Sequence, residues 1–113
     1  MSILQQLADV LEQRKNESAE ASYVASLYAG GTNKILQKIG EEATEVIIAA
    51  KNAQGASNGK ALEELVGETA DLWFHTLLML GEFDIDAQPV LAELGKRFGL
   101  SGIEEKAQRK TRS

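Results

Sequence analysis

Two long runs, from about Thr32 to Ala53 and from about Lys60 to Glu82, repeat apolar residues with the 3.6-residue period of an α-helix. Only the turn-rich stretch Gln54–Gly59 separates them. So short a connection leaves two long helices little choice but to lie antiparallel, side by side. The rest of the chain is patterned to pack around such a hairpin. Ser2-Ile3-Leu4-Gln5 is a capping-box sequence, and it leads into a stripe of Ile3, Leu4, Leu7, Val10 and Leu11. Ser22 is placed to cap a short second helix carrying Val24, Leu27 and Tyr28, which Gly30-Gly31 ends. Thr32 or Asn33 is the expected cap of the third helix, and Gly81 to Asp86 the expected break after the fourth. Asp86 would cap a fifth, with Pro89 tolerated in its first turn. Ser101-Gly102-Ile103-Glu104 repeats the capping-box pattern, for a short polar C-terminal helix. No stretch reads as a strand, a repeat or a low-complexity linker. The expectation is one all-α domain over residues 1–113, a bundle of about five helices.

Composition narrows the function. A net charge of −5 disfavours a nucleic-acid partner, which asks for a basic face. The most apolar run, Leu72–Leu80, is interrupted by His75 and is far short of the about 20 residues a membrane span needs. Met1-Ser2-Ile3-Leu4 lacks the features of a signal peptide, so a cytoplasmic protein is expected. With no cysteine and one histidine, any metal must be held mainly by oxygen.

The two long helices carry the chemistry. On the third, Lys38, Glu41, Glu42 and Glu45 cluster beside the apolar stripe of Ile35, Leu36, Ile39, Ala43, Val46, Ile47 and Ala50. On the fourth, Glu64, Glu68, Asp71 and His75 form a single stripe, and from Leu72 to Leu80 the helix is otherwise apolar almost all round. A helix of that composition is expected to be covered on several sides, which leaves its acids little open water. Neighbouring helices thus present Glu42-x-x-Glu45 and Glu68-x-x-Asp71 on partly buried edges. Four uncompensated buried carboxylates are prohibitive. They must protonate, pair with a cation such as Lys38, or hold a metal. A divalent cation is the simplest compensator, and all-oxygen ligation suits Mg²⁺ or Mn²⁺. No Glu is followed by a His three residues on, so the di-iron bundle pattern is absent. Mg²⁺ bound by carboxylates keeps positions for substrate phosphates, which points to phosphate chemistry. A single Glu-x-x-Glu is ordinarily a solvated face. Two facing pairs leave the metal site and the solvated face both open. His75 reads as a satisfied histidine of the core or rim, with Asp71 one turn before it as partner. Trp73, Phe74 and Met79 read as core or dimer interface, and Tyr23 and Tyr28 as core. Gly55–Lys60 imitates a P-loop but is one residue short, with Ala61 where Ser or Thr is needed. Lys106, Arg109, Lys110 and Arg112 read as a solvated tail.

Longer stretches around the acids carry a resemblance. They are Ser22-Tyr23, Gly30-Gly31-Thr32-Asn33-Lys34-Ile35, Lys38-Ile39-Gly40-Glu41-Glu42-Ala43-Thr44-Glu45-Val46, Ala49-Ala50-Lys51 and Glu68-Thr69-Ala70-Asp71-Leu72-Trp73-Phe74-His75. From about Leu4 to Arg97 the chain resembles the phosphoribosyl-ATP pyrophosphohydrolase family, within the all-α NTP pyrophosphohydrolase superfamily. The acidic motif alone would reach only the superfamily; the flanking residues carry the closer likeness. The resemblance implies hydrolysis of phosphoribosyl-ATP to phosphoribosyl-AMP and pyrophosphate, the second step of histidine biosynthesis, with Mg²⁺ and in the cytoplasm. It implies a stand-alone form without a fused cyclohydrolase. It also implies a homodimer or dimer-based oligomer, with helices of both subunits around each site. By the same likeness Glu42, Glu45, Glu68 and Asp71 are the metal ligands. Glu41, or one of those ligands, is the group that orients or deprotonates water, and Lys38 and Lys51 contact substrate phosphates. Two other readings stay open on the sequence. One is a house-cleaning hydrolase of dUTP or damaged nucleotides, of the same superfamily. The other is a helical dimerisation module that binds no substrate.

Overall fold

A computed structural model describes residues 2–55 and 59–100. They form five helices and, among the described residues, no strand: α1 (Ile3–Arg14), α2 (Tyr23–Gly30), α3 (Thr32–Ala53), α4 (Gly59–Glu82) and α5 (Ala87–Arg97). The all-α expectation holds. The short C-terminal helix expected from Ser101 and the basic tail lie outside the described residues, as does most of the P-loop-like stretch.

Local chemistry explains the helix ends. The Ser2 Oγ accepts from the Gln5 N–H at 3.1 Å, which is half of the expected capping box. The other half is absent, because the Gln5 amide is used elsewhere. Its Nε2 donates to Asp9 Oδ1 at 2.9 Å and to Asp86 Oδ1 at 3.2 Å. Asp86 is the N-cap residue of α5 and makes no side-chain cap of its own. Its carboxylate ties α1 to α5 instead. Ser22 caps α2 through the Ala25 N–H, as its position suggests. The cap of α3 differs from the expectation. Gly31, at φ +89°, holds that position, and Thr32 is the first helical residue. A side chain at Gly31 would be strained in that left-handed backbone, which both closes α2 and opens α3. The Thr32 hydroxyl donates to Glu82 Oε2 at 2.7 Å, pinning the start of α3 to the end of α4. That bond fixes the hairpin as antiparallel.

The break after α4 is also displaced. The helix runs straight through Gly81, and Asp84, at φ +56°, makes the turn. Gly81 is needed for space. A Cβ there would collide with the Tyr28 hydroxyl.

The core gathers at one end of the hairpin. Leu11 of α1, Leu27 of α2, Ile35 of α3, Leu77 and Leu78 of α4, and Ala87 at the start of α5 are buried together. Leu4, Leu7, Val24, Ile39, Phe74 and Leu80 pack around them. The other end is α3 against α4 alone. There Leu62 and Val66 of α4 are more than half exposed, whereas from Leu72 to Leu80, where composition asks for cover, every residue but Trp73 is buried or half-buried. Trp73 is exposed as well and is not core within the single chain.

Candidate metal centre

Antiparallel packing brings the two acidic pairs face to face beyond the core. Each of Glu42, Glu68 and Asp71 offers a carboxylate oxygen within 4.8 Å of the other two. Glu42 comes from α3; Glu68 and Asp71 sit one turn apart on α4. Beside them runs a groove of about 380 Å³, lined by Glu45, Ile48, Ala49 and Asn52 of α3 and by Glu64, Gly67, Glu68 and Asp71 of α4. Glu45 therefore faces the same site without joining the three-oxygen cluster.

Electrostatics mark Glu68 as the crowded group. Partial burial pushes its carboxyl above the ordinary value, and the charges of Glu42, Glu45 and Asp71 push in the same direction. Side-chain hydrogen bonding with Glu42 is a further, smaller cause in the same direction. A carboxyl crowded by three others in this way is what a hard cation relieves. The donor set is all oxygen and suits Mg²⁺ or Mn²⁺. Burial is less complete than the sequence suggests. Glu42 and Glu68 are half-buried, whereas Glu45, Glu64 and Asp71 are exposed. Burial is the first cause of the stress on Glu68, and the charges of its neighbours add to it.

The remaining sequence candidates lie around the cluster. Glu41 is exposed and turned along its own helix. It accepts from Gln37 Nε2 at 3.0 Å and pairs with Lys38 Nζ at 3.6 Å. The Gln37 hydrogen bond, then the Lys38 charge, hold its carboxyl below the ordinary value. Lys38 thus pairs with Glu41, not with the Glu42 and Glu45 that helical spacing offers it. Lys51 donates to Gln54 Oε1 at 2.7 Å near the end of α3. It stands nine residues from Glu42, about 14 Å along the helix axis.

His75 is buried, and its partner on Asp71 is the backbone. Nδ1 lies 2.7 Å from the Asp71 carbonyl oxygen, and Nε2 lies 3.4 Å from the Tyr23 hydroxyl. A carbonyl only accepts, so Nδ1 carries the proton and Nε2 accepts from Tyr23.

A family model described as Phosphoribosyl-ATP pyrophosphohydrolase matches residues 4–98. The chain belongs to that family. Among its curated relatives, a Phosphoribosyl-ATP pyrophosphatase of Methylococcus capsulatus is 52% identical over 110 residues, covering 97% of this chain and 98% of the other. Proteins of the same name from Hydrogenovibrio crunogenus and Geobacter metallireducens are each 55% identical over 107 residues, covering 95% of this chain and 92% of theirs. The match spans all five helices and so includes the carboxylate cluster and the groove.

For this pyrophosphohydrolase fold the structure adds two polar wall residues that the acidic motif does not contain, Glu64 and Asn52. Glu64 was legible as a further member of the α4 stripe, one turn before Glu68. Asn52 follows Ala49-Ala50-Lys51 and shares the Glu45 face of α3, seven residues on, but its residue type announces no chemistry, and it is the packing of α3 on α4 that makes it a wall of the groove.

Proposed function

We propose that this chain hydrolyses phosphoribosyl-ATP to phosphoribosyl-AMP and pyrophosphate, the second step of L-histidine biosynthesis. The observation that carries the reading is the convergence of Glu42, Glu68 and Asp71 in a chain of this family. Those three residues, with Glu45 beside them, would hold Mg²⁺, or Mn²⁺ in its place. Bound there, the cation would supply Lewis-acid polarisation and charge neutralisation for the triphosphate oxygens.

The chain's own groups do the rest. Glu45 faces the groove outside the three-oxygen cluster, a position suited to orienting the attacking water and taking its proton. Glu41 is the weaker base, because Gln37 and Lys38 hold it ionised and turned along the helix. Lys38, half-buried one turn before Glu42, is placed to swing from Glu41 onto a phosphate oxygen. Lys51 would serve the distal end of the polyphosphate, after leaving Gln54.

The working form is a homodimer in the cytoplasm. Ile47 at 64%, Leu62 at 54% and Val66 at 69% exposure are a large apolar outlay for a lone hairpin, and a second copy is the natural cover. No helix among the described residues is long and apolar enough to cross a membrane.

The deciding measurement is pyrophosphate release from phosphoribosyl-ATP, with Mg²⁺ and with chelator, beside ATP and dUTP. Mg²⁺-dependent release from phosphoribosyl-ATP alone is expected. Release from dUTP or ATP alone would keep the metal centre and discard the substrate. No release from any nucleotide would return the carboxylates to a solvated face.

A further inference from the structure

We infer that Tyr23 is the wall against which the substrate's base stacks, and that His75 is the residue that positions it. The inference rests on the nucleotide reading above and extends it to the end of the site away from the groove.

The chain has six aromatic residues, and their surroundings separate them. Tyr28 is packed against the core under the Lys15 ammonium, which lies 5.4 Å from its ring centroid. Trp73 is two residues past Asp71, about 200° around α4, and lines an apolar groove with Leu4, Val90 and Leu94. Phe83 follows α4 and Phe98 follows α5, both remote from the carboxylates in the fold. Phe74 is half-buried and packs on the core. Tyr23 alone combines a ring that is 56% exposed with a tether to the site.

The tether is specific. The Tyr23 hydroxyl donates to the buried His75 Nε2, and His75 Nδ1 donates to the carbonyl of Asp71, one of the cluster residues. One side of the ring is stacked towards Phe74, at 6.5 Å between centroids and 22° between planes. The backbone beneath is fixed as well. Ser22 caps the helix, and the Ser26 hydroxyl donates to the Tyr23 carbonyl. An exposed tyrosine on a surface helix needs none of this. Orienting an aromatic face in advance lowers the ordering cost of a ligand that stacks on it.

Position supplies the rest. Glu64, Glu68, Asp71 and His75 succeed one another along α4. The acidic groove extends from the cluster towards Glu64 and Asn52, whereas His75 and Tyr23 lie on the opposite side, about 6 Å along the helix axis. A nucleoside triphosphate likewise presents polyphosphate on one side of its α-phosphorus and a base on the other. The carboxylate groove suits polyphosphate with its cations. The aromatic end suits the base, since any base has a face to stack.

The test compares Tyr23→Ala and Tyr23→Phe with the unaltered protein by three measurements. These are KM and kcat for phosphoribosyl-ATP, inhibition by inorganic pyrophosphate with Mg²⁺, and calorimetric binding of AMP. Losing one base–aromatic contact is expected to raise KM and the AMP Kd roughly tenfold or more in Tyr23→Ala, with a much smaller fall in kcat. Pyrophosphate inhibition should be unchanged. Tyr23→Phe keeps the ring and should recover most of the loss. His75→Ala should share the KM defect while sparing pyrophosphate inhibition, because it frees the ring without removing it. Unchanged KM and AMP binding in Tyr23→Ala would overturn the inference. So would a parallel loss of pyrophosphate inhibition, or conversion of a dimer to monomer in sedimentation, which would make the ring a subunit contact. Weak AMP binding in Tyr23→Ala, in a protein that never hydrolyses phosphoribosyl-ATP, would support the base site and discard the substrate. Normal hydrolysis with an indifferent Tyr23 would do the reverse.

Discussion

The α3–α4 hairpin has two ends built for opposite purposes. At the Thr32–Glu82 end, Ile35 and Leu78 are fully buried, and α1, α2 and α5 close around them. At the other end Ile47, Leu62 and Val66 stand in the open, and the polar groups between the helices are carboxylates that repel one another. The first end can hold the fold alone. The second leaves apolar side chains in the open and crowds carboxylates together. Asp71 and His75 mark the border, one turn apart. Fold stability and chemistry therefore occupy separate lengths of the same two helices, and substitutions at the two ends should separate cleanly.

The largest effect is expected at the acidic end, on turnover alone. Asp71→Ala or Glu42→Ala removes one of three converging oxygens and should lower kcat at least a thousandfold, a loss of about 4 kcal/mol or more in transition-state stabilisation. Circular dichroism and the metal-free melting temperature should be retained, since neither side chain packs in the core. A variant keeping a tenth of the activity would remove that residue from the ligand set. Leu78→Ala should behave oppositely. It opens a cavity among fully buried side chains and is expected to cost about 2–5 kcal/mol. Urea titration would show this as a lower midpoint, while the folded fraction keeps its affinity for Mg²⁺.

How far the sequence foretells each end follows from the same division. The closed end is legible because burial imposes period. Leu11 and Ile35 sit on stripes that the helical spacing shows, and Leu77 and Leu78 lie in the run from Leu72 to Leu80 whose apolar composition asks for cover. The acidic pairs are legible for a related reason, because two Glu-x-x-Asp/Glu spacings on neighbouring helices can only meet if the hairpin is antiparallel. Partner choice is less legible. Spacing offers Lys38 three carboxylates, and rotamer and exposure select Glu41. Gln5 could reach back to the Ser2 N–H, but its side chain turns instead to donate through Nε2 to Asp9 and to Asp86, far away in the chain. Gly81 looks like a helix breaker, and only the Tyr28 hydroxyl beside it shows that it is a space-maker. Asn52 falls on the Glu45 face of α3, seven residues on, but its residue type does not announce a site.

A medium effect should appear in the pH dependence of the metal-free protein. The Glu68 carboxyl is raised in the folded state, so between the ordinary and the raised value the folded chain binds more protons than the unfolded one. Stability should therefore fall as pH rises through that window. Glu68→Gln should flatten the fall. Glu41, held below the ordinary value, works with the opposite sign, and its contribution is lost as pH drops through its folded value. Mg²⁺ should reverse the Glu68 penalty, because it binds the ionised carboxylates and the folded state only. At a hundred times its Kd it would add about 2.7 kcal/mol. Thermal melts from acid to neutral pH, with and without Mg²⁺, check both signs. A melting curve indifferent to Mg²⁺ at neutral pH would count against the metal centre.

The smallest and sharpest contrast uses two helical glycines. Gly40 on α3 has nothing within 4 Å of where a Cβ would sit, whereas Gly81 on α4 faces the Tyr28 hydroxyl. Gly40→Ala should stabilise by about 0.5–1 kcal/mol, the ordinary gain from replacing glycine inside a helix. Gly81→Ala receives the same intrinsic gain but must displace Tyr28, whose ring packs on the core and whose Oη has no hydrogen-bond partner among the described residues. Overpacking of that kind costs about 1–3 kcal/mol, so the net change should be a loss. Pairing Gly81→Ala with Tyr28→Phe removes the colliding oxygen and should restore part of it. Equal and positive shifts for the two single variants would show that the Thr32–Glu82 end is looser than its buried leucines indicate, and that the division between the two ends is one of chemistry alone.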